Sequence, residues 1–173
     1  NQNKIKLKKE DVDLSELLKN ASLDMISAYK EKGVRLEVKL PTAPLFLSAD
    51  PVRIAQCAGN LLQNALKFTP AAGEVTLSLE NKNEEAVIRV QDNGMGIEPE
   101  LLEHIFEAFT RADTSLDRTN SGGLGLGLSI VDGIVRLHGG SVTAFSEGDG
   151  KGSLFTIKLP VLTQPAVTQH PAA

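Results

Sequence analysis

Asp50-Pro-Val-Arg-Ile-Ala-Gln-Cys-Ala-Gly-Asn-Leu-Leu-Gln-Asn-Ala-Leu-Lys-Phe-Thr-Pro70 reads as a helix with one wet edge and one dry one. Asp50 suits the N-cap, and Pro51 suits the first helical position, where a missing N–H costs nothing. At about 100° per residue, Arg53, Gln56, Asn60, Asn64 and Lys67 fall within an arc of roughly 80°. Ile54, Cys57, Ala58, Leu61, Ala65 and Phe68 lie on the other side. A helix laid on a sheet needs only the dry side, and its wet side is ordinarily long charged residues, which form helices better than Asn does. Asn60 and Asn64, one turn apart, have two readings. One is a plain solvated face. The other is that carboxamide oxygens at this spacing help hold a hydrated cation while Lys67, a turn further on, faces an anion, the combination a magnesium nucleotide presents.

Upstream, Ile5, Leu7 and Val12 alternate weakly among lysines over residues 1–12, as in an edge strand or a linker into the domain. Asp13 with Glu16 resembles a capping box, and Leu14, Leu17, Leu18, Ala21, Met25 and Ala28 then follow a helical stripe that Gly33 ends. Val34, Leu36, Val38 and Leu40 alternate with charged residues, which predicts a strand wet on one face, and residues 45–47 form a second short piece. Downstream, Val75, Leu77 and Leu79, a polar turn over 81–85 and a return over 86–90 predict a hairpin. A further hairpin is expected from residues 142–145 and 154–159, around the glycines of 148–152. From residue 161 onward Pro, Ala, Thr and Gln dominate, which is linker composition.

The hairpin strand runs into Asp92-Asn93-Gly94-Met95-Gly96. Side chains alternate along a strand, so Asp92 shares the parity of Ala86, Ile88 and Val90 and points inward with them. An inward carboxylate needs a partner, whether it caps a turn or holds a ligand. The two glycines let backbone approach something closely. Residues 99–109 read as a helix with Pro99 at its start and Leu101, Leu102, Ile105, Phe106 and Phe109 on one side. Residues 110–121, polar and aperiodic with Arg111 and Arg118, are expected to form a loop over a site. Gly122-Gly-Leu-Gly-Leu-Gly127 then opens into a helical pattern of Ile130, Val131, Ile134 and Leu137 that stops at His138-Gly-Gly140. Glycines at a helix start expose N–H groups at the positive end of the dipole, a ready phosphate site, although such a run also serves simple flexibility. It is neither a P-loop nor a dinucleotide fingerprint.

With 173 residues and 41% hydrophobic content the chain suits one domain with a full core. A net charge of −4 supplies no broad basic field, which argues against nucleic acid as a partner, so any phosphate binding is local. The single cysteine, Cys57, lies on the dry side of its helix and reads as a buried inert thiol suited to a reducing compartment. No apolar run approaches the roughly 18 residues of a membrane span, and residues 1–9 have the charge of a signal peptide without its apolar region. The chain is therefore expected to be soluble and cytoplasmic with no membrane contact of its own. It starts on Asn1, as an excised piece of a longer protein would.

Three separately ambiguous stretches thus occur in one order: the Asn60/Asn64 helix, the Asp92-x-Gly-x-Gly strand end and the Gly-Leu-Gly-Leu-Gly helix start. In that order, with Phe106 and Phe109 between the last two, they closely resemble the catalytic and ATP-binding domain of sensor histidine kinases, in the GHKL or Bergerat-type ATPase superfamily. Residues 60–69 resemble that family's asparagine box, 92–96 its first glycine box, 105–113 its phenylalanine box and 123–130 its second glycine box. The likeness covers roughly residues 12–160. It implies a two-layer α/β sandwich, with a mixed, mostly antiparallel sheet, helices on one face and an ATP lid. Residues 13–160 would be the catalytic domain, 1–12 a linker or edge strand from a missing dimerisation and phosphoacceptor domain, and 161–173 a tail or linker.

Residue by residue, the resemblance implies that Asn64, with Asn60 beside it, binds the Mg²⁺ bridging the ATP phosphates. Lys67 and Arg111 would neutralise the terminal phosphates and Asp92 would accept the adenine amino group. Gly94 and Gly96 would let the backbone reach the base, and Gly123, Gly125 and Gly127 would present N–H groups to the phosphates. Ile97, Phe106, Leu124 and Leu126 would complete the nucleotide's surroundings. Two positions depart from many members: Leu124 replaces a Thr or Ser, and Ala108 replaces an Arg. The implied activity is transfer of the ATP γ-phosphate to a histidine on a separate helical domain of the same protein, for relay to a response regulator receiver domain. The full-length protein would be a homodimer and is open to membrane anchoring.

The nucleophile would come from elsewhere, because none of His104, His138 and His170 is followed by an acidic residue in the manner of the family's phosphoacceptor motif. The rival is an ATP-hydrolysing relative, such as the gyrase, mismatch-repair or chaperone ATPases. Those carry a Glu general base four residues before the metal-binding Asn, where this chain has Asn60, which cannot take a proton. A further alternative is a non-catalytic nucleotide-binding or docking module.

Overall fold

The computed structural model describes residues 6–107 and 127–162. The alternating segments form a five-stranded sheet in the order β2 (Arg35–Lys39), β4 (Glu74–Lys82), β5 (Glu85–Asp92), β7 (Ser153–Pro160) and β6 (Ser141–Phe145). Every neighbouring pair is antiparallel except β2 and β4, which run parallel. The β4–β5 turn falls at Asn83 and Glu84, both with positive φ (53° and 62°), the sense of turn whose twist matches a hairpin. Both predicted hairpins are present. Val75, Leu77 and Leu79 of β4, Ala86, Ile88 and Val90 of β5, and Phe155, Ile157 and Leu159 of β7 share one face and belong to the core.

Against that face pack α1 (Leu14–Lys32), α2 (Pro51–Phe68) and α4 (Gly127–Leu137). A separate two-stranded sheet joins β1 (Glu10–Asp13) to β3 (Phe46–Ala49), so the short piece expected after Pro44 is the partner of the strand expected near the start. Capping explains where α1 begins and ends. Asp13 Oδ1 accepts the Ser15 N–H at 3.1 Å, and Gly33 closes the helix with φ 78°, a conformation other residues rarely adopt. The buried Tyr29 hydroxyl donates to Leu62 O at 2.7 Å, and Lys32 Nζ donates to Leu66 O at 2.6 Å and Lys67 O at 3.1 Å, at the carbonyl end of α2 where a cation is favoured.

The dry side of α2 is as expected, with Ile54, Cys57, Ala58, Leu61 and Ala65 buried. Each Leu or Ile so placed is worth about 1.5–3 kcal/mol over leaving it exposed. Leu62, off that stripe, is also fully buried because α1 lies along this flank, and Phe68 is only half-buried. Two expectations are corrected. The helix over 99–109 is confined, among described residues, to α3 (Pro99–Leu102). Turns follow, with Glu107 N–H donating to His104 O at 3.0 Å, since Glu98 supplies no side-chain cap and one turn makes too few bonds to propagate. In α4 the buried stripe is Val131, Ile134 and Val135, while Ile130 and Leu137 are 37% and 48% exposed. Packing against both α2 and β6 rotates the buried arc away from those two positions. No helix among the described residues is long and apolar enough to cross a membrane.

Candidate functional site

The wet edge of α2 is set by its N-terminal anchor. Asp50 accepts the Lys8 N–H at 3.0 Å and the Arg53 N–H at 3.3 Å. Its own N–H donates to Nε2 of the buried His138 at 3.0 Å, while His138 Nδ1 meets Ile134 O at 2.8 Å. A backbone N–H only donates and a carbonyl only accepts, so this His138 is the tautomer protonated at Nδ1. The end of α4 is thereby tied to the start of α2. Further along α2, Asn60 Nδ2 donates to Gly127 O at 3.3 Å, which brings the first residue of α4 to the predicted edge. The amide nitrogen of Asn60 is thus engaged and its carbonyl oxygen remains for other partners. Asn64 follows about 6 Å further along the axis, half-buried like Asn60. Lys67 is exposed, with Nζ 5.3 Å from the Phe68 ring centroid.

At the C-terminal end of this edge stands the loop after β5. Asp92 is 6% exposed and has the inward parity expected. Its Oδ1 accepts the Gly94 N–H at 2.9 Å and its Oδ2 accepts the Ser153 hydroxyl at 2.6 Å, so the buried carboxylate is held from two directions. Ser153 escaped the sequence reading. Its signal is the register that sets it opposite Asp92 across β5 and β7, which needs the strand order. The Tyr29 hydroxyl is raised well above its usual range, first by burial and then by the charge of Asp92. Met95 N–H donates to Phe68 O at 3.1 Å, pinning the loop to the end of α2.

The glycines here have an internal purpose. A Cβ at Gly94 would lie 2.2 Å from Phe68 O, and one at Gly96, where φ is 75°, 2.0 Å from Gly148 O. Their freedom lets the loop lie backbone-to-backbone on α2 and on the β6–β7 turn. Ile97 is half-buried and its N–H donates to Ser146 Oγ at 3.0 Å; Phe106 packs edge-on against Phe155 at 6.2 Å between centroids. One edge of α2 therefore meets Gly127 at its middle and the 92–97 loop at its end. Arg111, Gly123, Leu124, Gly125, Leu126, Ala108, His170 and the loop over 110–121 lie outside the described residues. His104 is exposed and pairs with Glu107 at 2.8 Å, away from this edge, whereas the buried His138 serves the Asp50 anchor of α2.

Among the described residues no group of three or more His, Cys, Asp or Glu is placed to hold a metal. The oxygens on the α2 edge are carboxamides. That set fits a small hard cation of the magnesium type, which needs few protein oxygens and completes its shell with water and phosphate.

Residues 49–163 match the family described as "Histidine kinase-, DNA gyrase B-, and HSP90-like ATPase". The chain is 39% identical over 168 residues to the sensor histidine kinase TrcS of Mycobacterium tuberculosis, a match covering 94% of this chain and 32% of that protein. It is 36% identical over 154 residues to the sensor histidine kinase RppB of Synechocystis, covering 89% of this chain and 34% of that one. Among solved structures, full-length ShkA in complex with AMPPNP superposes with a TM-score of 0.79 at 32% identity, over 94% of this chain and 33% of ShkA. The chain spans about a third of the length of these relatives.

Proposed function

The chain belongs to the histidine kinase-, DNA gyrase B- and HSP90-like ATPase family, and from that premise we propose that it is the ATP-binding catalytic domain of a two-component sensor histidine kinase, transferring the γ-phosphate of ATP to a histidine on a separate domain. The observation that carries this reading is α2, whose wet edge touches Gly127 through Asn60 and whose C-terminal end holds the 92–97 loop through Phe68 O. A nucleotide laid along that edge has its base at Asp92 and its phosphates at Asn60, Asn64 and Lys67.

Phosphoryl transfer is chiefly positioning and charge neutralisation, and each group has a part in it. Asp92, fixed by Gly94 and Ser153, presents an acceptor to the adenine amino group. Asn64, with Asn60, would hold Mg²⁺ by carboxamide oxygens; the ion supplies charge neutralisation between the phosphates. Asn60 keeps its nitrogen on Gly127 O, which leaves its oxygen as the atom that would meet the ion. Lys67 would place positive charge by the terminal phosphate, and the N–H of Gly127 at the start of α4 would add the favourable end of a helix dipole; the family resemblance assigns Arg111, Gly123 and Gly125 to the same phosphates. Ile97 and Phe106 would border the bound nucleotide, and the family resemblance assigns Leu124 and Leu126 to the same surroundings.

Hydrolysis is the competing chemistry. Asn60 disfavours it, because a carboxamide cannot deprotonate water. The histidine acceptor belongs to a dimeric helical domain outside this chain, and the phosphate passes on to a receiver domain. We propose residues 13–160 as the catalytic domain, with 1–12 as its entering segment, of which 10–12 already pair in β1, and 161–173 following it; the whole protein acts as a homodimer, with this domain in the cytoplasm. Incubation with γ-labelled ATP tests the reading. Label should stay off this chain and appear on a histidine-bearing helical domain supplied in trans. Label accumulating on the chain alone would contradict it.

A further inference from the structure

Resting on the reading that residues 92–97 face a nucleotide, we propose that Ser146 is a positioning residue for that site, holding the glycine loop in its binding shape from behind. A serine hydroxyl has one donor and two acceptor positions. Ser146 fills all three: Oγ accepts the Ile97 N–H at 3.0 Å and the Gly148 N–H at 3.3 Å, and donates to Gly152 O at 2.7 Å. One side chain therefore closes the turn over 146–152 and ties that turn to the end of the loop.

The turn is built to serve as a backing. Gly150 N–H donates to Met95 O at 2.7 Å and Gly152 N–H to Gly94 O at 3.1 Å, so two successive carbonyls of the loop are taken by the turn. A Cβ at Gly152 would stand 2.1 Å from Asp92 O, and one at Gly96 2.0 Å from Gly148 O, which leaves the two backbones no room to slide past each other. On the loop itself, Gly94 N–H is held by Asp92, Met95 N–H by Phe68 O and Ile97 N–H by Ser146. The first two bonds come from the loop's own carboxylate and from α2. Only the third rests on a side chain elsewhere, and that side chain also shapes the turn.

Removing the hydroxyl leaves Ile97 N–H, Gly148 N–H and Gly152 O each one partner short, and the half-buried end of the loop is free to drift. The hydrogen bonds of Ser146 all go to these two segments and none to the α2 edge. The consequence is a loss of nucleotide affinity through a loosened loop, with the phosphate-side groups in place.

The test is titration of a fluorescent ATP analogue with Mg²⁺ into the unmutated chain, Ser146→Ala and Ser146→Thr, with thermal unfolding and amide hydrogen exchange at Ile97 for each. Ser146→Ala should raise Kd about tenfold while sites per folded chain are unchanged, and Ile97 should exchange faster. Ser146→Thr, which keeps the hydroxyl, should restore both to within about twofold. If Ser146→Ala does not fold, Ser146→Cys, with a weaker donor and acceptor on the same scaffold, carries the same expectation of raised Kd. An unchanged Kd in the folded fraction of the variant, or no rescue by Thr, overturns the positioning role while the nucleotide reading stands. Absence of binding by the unmutated, folded chain overturns that reading and this proposal with it.

Discussion

Asp50 ties three parts of the chain together: the incoming segment through Lys8, α2 through Arg53, and α4 through His138. Its carboxyl is held below the ordinary value of 3.8, chiefly by the Lys8 N–H and, after the opposing effect of burial, by the Arg53 and Val52 N–H groups and the Arg53 charge. A carboxylate depressed in the folded state contributes stability in full above its unfolded value. That contribution is lost as pH falls through the folded value. We expect Asp50→Ala, which removes the cap, to cost about 1 kcal/mol near neutrality and to unfold with a shallower acid dependence from about pH 5 towards pH 2, by chemical denaturation at each pH. Identical acid slopes would contradict this. Cys57 gives a second check: burial pushes its thiol up to about 12, and it is 1% exposed. It should react with a disulfide reagent at about pH 8 only as fast as the chain opens, and at once in denaturant. The inward aim of Asp92 was legible in the alternation of β5. Ser153 and Ser146 were not, because the meaning of Ser153, first in β7, depends on which strand lies opposite, and Ser146 sits in a glycine-rich turn that carries no periodicity.

Helix α2 was the most legible element, since its cap, its first proline and its 3.6-residue stripe all point the same way. What the stripe could not tell was that α1 covers a second flank and buries Leu62. Likewise α4 shows Ile130 and Leu137 to solvent because two neighbours, α2 and β6, decide its buried arc. Helical periodicity in a short segment specifies a moment, and tertiary packing chooses among the residues near its border. The wet edge of α2 also bears a chemical prediction. Asn60→Glu places a base where the hydrolysing relatives have one, and phosphate release from Mg-ATP should rise about tenfold. The gain stays below the ~10²–10⁴ of a well-placed base because the change also removes the donor to Gly127 O. A variant no faster than the unmutated chain would remove water activation as the distinction between the two activities.

Across the molecule, the strands and the long helices followed from local pattern, whereas the brevity of α3, the parallel pairing of β2 with β4 and the separate β1–β3 sheet did not. Pairing depends on contacts distant in sequence, and a strand's alternation is the same whichever neighbour it takes. That topology makes the site. β5 and β7 put Ser153 against Asp92, the β6–β7 turn backs the glycine loop, and α2 runs from that loop to the start of α4. On the proposed function, this edge binds Mg-ATP with the base at Asp92 and the metal at Asn64. Calorimetric titration of a non-hydrolysable ATP analogue, with Mg²⁺ and with EDTA, tests it on the unmutated chain, Asp92→Asn and Asn64→Ala. Mg²⁺-dependent binding is expected, abolished by Asp92→Asn and stripped of its Mg²⁺ dependence by Asn64→Ala. No binding by the folded unmutated chain, or binding indifferent to both substitutions, would contradict it.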